Sequence, residues 1–134
     1  MTDEQKKKIA EIAGKHNLQL IVLFGSQATG RTHKKSDVDI GFVAEREIDS
    51  GERFAISSEL ARIFQNPEVE LVNLNNVSPE LKRQVADQGI LLYESRPQTF
   101  DLFKIHAHRI YMETKPLRVY RDARLNNFLK KYAG

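Results

Sequence analysis

A chain of 134 residues makes one ordinary domain, long enough to bury roughly two thirds of the surface that its unfolded form exposes. Hydrophobic residues make up 40% and charged residues 29%, which excludes a disordered polymer, and a net charge of +3 from scattered Lys and Arg excludes DNA wrapping along an extended basic face. The absence of cysteine excludes disulfides, thiol nucleophiles and Cys-ligated zinc and suits a reducing, cytoplasmic setting.

In chain order, the charged start from Met1 to Lys8 has no apolar run and does not read as a secretory signal. Residues 2–16 predict an amphipathic helix capped by Thr2 or Asp3, with Ile9, Ile12 and Ala13 on its apolar stripe. The aliphatic stretch 18–24 predicts a buried strand stopped at Gly25, and its longest apolar run is far too short to cross a bilayer. Residues 26–30 read as a short helical turn, and 31–36 as a polar loop with His33, Lys34 and Lys35.

From Asp37 to Val43 the pattern alternates, with Val38, Ile40 and Phe42 on one face and Asp37, Asp39 and Gly41 on the other, which predicts a half-exposed strand. A helix over 50–65 is expected to bury Phe54, Ile56, Leu60, Ile63 and Phe64, and Asn66-Pro67 ends it. A strand over 69–74 contains Glu70. Ser78-Pro79-Glu80 then starts a helix that Gly89 closes, followed by a strand over 90–93. From Pro97 onward the chain reads as helical, with a break near Lys115-Pro116. This tail is rich in Arg, Lys and aromatic residues, and Tyr111, Tyr120, Phe128 and Tyr132 are expected to pack it. Interleaved helices and strands of this kind predict an α/β fold, a small mixed sheet flanked by helices.

The chemistry is concentrated in Gly25-Ser26, ten intervening residues, then Asp37-Val38-Asp39. Strand residues two apart share a face, so both carboxylates project together. Two such anions about 4 Å apart repel by about 4 kcal/mol at an effective dielectric near 20. A hard divalent cation relieves that repulsion, and magnesium prefers carboxylate oxygen. Gly25 permits a sharp turn and close approach to a ligand, and Ser26 opens a helical turn whose free N–H groups suit phosphate. Glu70, between aliphatic neighbours, would be costly to bury unless paired or metal-bound. Each feature also has a plainer meaning: a solvated Asp-x-Asp face, Ser26 as a helix cap, Glu70 as a strand-end acid. Arg31, Lys34 and Lys35 suit either a triphosphate or a solvated basic loop. His33 reads as exposed, while His106 and His108, two apart on a helix, share no face and make a poor metal site.

The Gly-Ser turn followed by Asp37-x-Asp39, after an aliphatic strand, resembles the signature of the DNA polymerase β-like nucleotidyltransferase superfamily. The chain's size is similar to that of its minimal nucleotidyltransferases, the MNT proteins. The resemblance, over residues 18–94, implies a polymerase β-like core over 1–96 and a helical extension of the same domain over 97–134. It further implies that Asp37 and Asp39 coordinate two Mg²⁺ ions. A third acid, here Glu70 where the family usually has Asp, would join one metal and activate the acceptor hydroxyl. Gly25 and Ser26 would contact the triphosphate of ATP.

Some members act as antitoxins beside HEPN ribonuclease toxins and transfer AMP to a toxin tyrosine. The Arg-x4–6-His motif of a HEPN toxin is absent here, so the resemblance implies the antitoxin half, cytoplasmic, with no membrane and no nucleic acid as direct substrate. The rival expectations are a non-catalytic antitoxin that acts by binding and an aminoglycoside-type nucleotidyltransferase.

Overall fold

A computed structural model describes residues 1–25 and 37–132. Ser26, Arg31, His33, Lys34 and Lys35, with the turn expected over 26–30 and the loop over 31–36, lie outside the described residues. Four strands, β1 (Leu18–Phe24), β2 (Val38–Ala44), β3 (Val69–Asn73) and β4 (Ile90–Glu94), form one mixed sheet in the order β3-β2-β1-β4. β1 runs antiparallel to both β2 and β4, whereas β2 and β3 are parallel. The described helices are α1 (Asp3–Lys15), α2 (Ser50–Phe64), α3 (Pro79–Gln88), α4 (Thr99–Glu113) and α5 (Lys115–Tyr132).

Local chemistry sets the helix ends. Thr2 accepts from the Gln5 backbone N–H at 3.1 Å while the Gln5 side chain accepts from the Thr2 N–H at 3.0 Å, so two otherwise unpaired donors of α1 are satisfied reciprocally. Asp49 and Ser78 cap α2 and α3 by accepting from the Glu52 and Leu81 backbone N–H groups, with Pro79 opening α3. Gln65 in the left-handed region, φ 53°, stops α2.

β1 is one of the sheet's two inner strands and is covered on both sides. On one face Ile21 joins Val38, Ile40 and Phe42 under Ile9 and Ile12 of α1 and Ile56 and Leu60 of α2. On the other, Leu20, Val22 and Phe24 pack with Leu74, Val85 of α3 and Phe100 of α4. Two expectations change here. β2 is not half-exposed, because Gly41 on its second face is buried against Leu74, whose side chain a Cβ would meet at 2.5–2.9 Å. Phe54 is 75% exposed instead of core, since it lies about 200° around α2 from Ile56, on the solvent side.

The tail departs further. Helix α5 buries none of its residues, and Tyr120, Phe128 and Tyr132 stand 61%, 57% and 67% exposed, so they do not pack the tail as expected. Tyr111 does pack, with the guanidinium of Arg118 3.7 Å and that of Arg83 4.3 Å from its ring centre. Arg118 also donates to Tyr111 O at 2.7 Å and to Thr114 Oγ1 at 2.6 Å, and so holds the start of α5 against the end of α4.

Where the end of α1 meets the start of α2, Arg46 forks onto Glu52 at 2.7 and 2.6 Å, and His16 Nδ1 lies 2.8 Å from the same carboxylate. The Arg46 hydrogen bonds first, and His16 second, hold the Glu52 carboxyl down at about 2. A depressed folded-state pKa means that this contribution is present above the ordinary carboxylate range and is lost as pH falls through about 2. Glu52→Gln should therefore flatten the decline of urea-unfolding midpoints between about pH 5 and about pH 2. An unchanged slope would assign the acid sensitivity to other carboxylates.

Candidate active site

The end of the sheet where β1 finishes and β2 begins collects the acids. Phe24 pairs with Asp39 across the antiparallel ladder, and Asp39 pairs with Glu70 across the parallel one. Asp39 has the same strand parity as Gly41 and Val43, and Glu70 the same as Val72. Both carboxylates therefore project on the sheet side where Leu74, Val85 and Phe100 form the second core. Gly25, which follows β1 with φ +76°, brings the chain against this point, and a Cβ there would overlap the Asp39 carboxylate. L side chains rarely adopt that conformation, and no side chain suits that space.

Asp39 is half-buried, and its carboxyl is pushed above the usual range first by burial, then by the charge of Glu70, then by that of Asp37, with a hydrogen bond to Glu70 adding to the rise. Among the described residues the charges that bear on it are thus both negative. Glu70 itself is exposed, so the burial cost expected for it is not incurred. Its closeness to Asp39 comes from strand register instead.

A fourth acid, Glu68, was missed by sequence reasoning. The Val38 N–H donates to Glu68 O at 2.9 Å, which continues the parallel register one step beyond the ladder and sets Glu68 opposite Asp37. A hydrogen bond with Asp37, then the Asp37 charge, then burial raise the Glu68 carboxyl. Asp37-x-Asp39 is therefore matched across the sheet by Glu68-x-Glu70. The repeated acid-x-acid spacing was the available signal, but only the parallel pairing reveals its meaning.

Among the described residues no three His, Cys, Asp or Glu side chains are gathered tightly enough to hold a metal ion alone. The acids stand in opposed pairs. Magnesium commonly binds through one or two carboxylates plus water and substrate phosphates, so such pairs fit an ion delivered with a nucleotide better than a resident structural one. The mutual repulsion of Asp39 with Glu70 and Asp37 is the observation that favours this fit. Two described histidines stay out of it: His106 is exposed, and His108 Nε2 is 3.0 Å from Asp87 Oδ1 of α3. No helix among the described residues is long and apolar enough to cross a membrane.

Against this geometry, residues 7–98 match the family described as Polymerase beta, Nucleotidyltransferase. The chain is similar to the protein adenylyltransferase MntA of Shewanella oneidensis, 33% identical over 119 residues that cover 87% of this chain and 84% of the relative. It is also similar to the MntA of Aphanizomenon flos-aquae, 30% identical with 86% and 83% covered. Among solved structures, a chain of a toxin–antitoxin complex with AMP-PNP superposes with a TM-score of 0.73 at 31% identity, covering 92% of this chain and 98% of the other. A tri-AMPylated Shewanella oneidensis HEPN toxin in complex with MNT antitoxin contains a chain that superposes with a TM-score of 0.69 at 28% identity, covering 96% and 99%.

Proposed function

Since the chain belongs to the Polymerase beta nucleotidyltransferase family, we propose that it transfers AMP from ATP to a tyrosine hydroxyl of a partner HEPN toxin and thereby acts as that toxin's antitoxin. The two adenylyltransferase relatives and the tri-AMPylated HEPN toxin found with an MNT antitoxin support this reading. The observation that carries it in this chain is the register that sets Asp39 between the Phe24-Gly25 turn and Glu70.

In this reading residues 1–96 are the nucleotidyltransferase domain and residues 97–134 its helical extension. Gly25 and Ser26 hold the triphosphate by close backbone approach. Asp37 and Asp39 would hold two Mg²⁺ ions, with Glu70 as the third acid. When bound, the metal neutralises the phosphates and polarises the α-phosphorus. Glu70 takes the proton of the acceptor hydroxyl as its oxygen bonds to the α-phosphorus and the α–β bridging bond breaks, releasing pyrophosphate. Exposure at the open side of Asp39 leaves Glu70 accessible to an acceptor carried by another protein. The chain itself supplies positioning and charge placement, the terms that dominate such transfers. The cytoplasm, where ATP and magnesium are abundant, is the compartment we assign.

Incubating the chain with the toxin, ATP and Mg²⁺ should add AMP-sized mass increments to toxin tyrosines. Toxin that is bound and silenced without any mass change would replace transfer with inhibition by occlusion.

A further inference from the structure

The tail presents a surface that the nucleotidyl-transfer site does not use. Helix α5 is 18 residues, about 27 Å long, and none of its residues is fully buried, Arg118 alone being largely covered. A helix of that length is marginal alone in water and normally depends on packing an apolar face. In its C-terminal half Leu125, Phe128, Leu129 and Tyr132 fall within about 100° of its circumference, and Leu117 lies on the same face one stretch earlier, beyond Arg118 and Arg121; the five are 48–69% exposed. Phe128 and Tyr132, one turn apart, meet with ring planes tilted 43° and ring centres 4.7 Å apart, and form an aromatic ridge on that stripe. Helix α4 adds Leu102, Ile105 and Met112, 57–65% exposed, at the three- and seven-residue spacings of a helix-packing seam.

Charge narrows the occupant. Residues 99–132 hold eight of the 21 Lys and Arg but three of the 18 Asp and Glu, a net +5 against −2 for the remainder of the chain. A second copy would bring another +5 to the same contact. RNA would use the cations and rings but gain nothing from Leu117, Leu125 and Leu129, and Arg118 and Arg121 are partly engaged within the chain, with Tyr111 and Glu80. We infer that the exposed stripe of α5, extended by α4, is the docking surface for a protein partner whose helical face is apolar at its centre and rimmed by carboxylates. This rests on the proposed function in one respect: the partner offered this surface is the toxin.

The test measures binding of the full chain to the purified toxin by calorimetry, and transfer from labelled ATP in parallel. Leu125→Ser/Phe128→Ser should weaken binding at least tenfold with the thermal melt of the sheet core retained. Lys130→Glu/Lys131→Glu, which leaves the apolar stripe intact, should weaken it in a salt-dependent way. Undiminished binding by both variants overturns the docking surface while leaving the transferase reading in place. Binding lost in these variants, but with no AMP transfer by the wild type, supports the surface and removes the transferase reading. Wild-type dimers in light scattering that become monomers in the Leu125→Ser/Phe128→Ser variant, or binding to a single-stranded RNA oligonucleotide that Lys130→Glu/Lys131→Glu abolishes, would overturn the assignment to a protein partner.

Discussion

Asp39→Asn should abolish AMP transfer and at the same time raise the melting temperature of the nucleotide-free protein. The first effect follows from the loss of a charged oxygen donor where the transferring phosphate must be neutralised. A loss of about 4 kcal/mol of transition-state stabilisation corresponds to about 10³-fold in rate. The second follows from the sign of the pKa shift. The Asp39 carboxyl is raised in the folded state by burial, Glu70 and Asp37, so its ionised form opposes folding at neutral pH, and that opposition sets in as pH rises through the folded-state pKa. An uncharged isostere removes the repulsion. Because the carboxylate is only half-buried and solvent screens the effect, the gain should be modest, about 1–3 °C in a calorimetric scan. Retained transfer would remove Asp39 from the site, and an unchanged or lower melting temperature would mean that its charge is compensated in the folded protein.

The second large effect is at Gly25. Gly25→Ala should cut transfer about 100-fold and lower stability, the opposite thermal sign to Asp39→Asn. The residue has φ +76°, a conformation that costs an L side chain about 1–2 kcal/mol, and its new methyl would overlap the Asp39 carboxylate. Displacement of the proposed metal-binding carboxylate by about 1 Å is enough for a loss of that size. A melting temperature lower by about 4 °C or more is the expected companion. An alanine variant with full activity would show that the turn and the carboxylate can move apart without consequence.

The elements legible in the sequence were those whose pattern is local. The aliphatic run of β1, the alternation of β2 and the capping residues Thr2 and Ser78 report their own neighbours, and the structure places each strand and cap within a residue or so of its pattern. What escaped depends on partners distant in sequence. Glu68 and Asp37 are brought together only by the parallel register of β2 and β3. Gly41 was assigned to an open face because the residue that covers it, Leu74, lies 33 positions away. Phe54 read as core, and Phe128 and Tyr132 as packing the tail, because an exposed aromatic ring has the same letter as a buried one, and their placement depends on what lies opposite them. The acids of the site were readable as a pair plus one, and became two opposed pairs only when the strands were paired.

Both outer strands of the sheet, β3 and β4, are five residues long, whereas the two inner strands run to seven, and each outer strand carries a glutamate, Glu70 and Glu94. Truncated, acid-bearing margins offer an incoming strand few backbone groups and an unfavourable charge, so lateral growth of the ladder into aggregates is disfavoured. A molecule that must keep an oily tail in water thereby has one fewer route to sticking to itself.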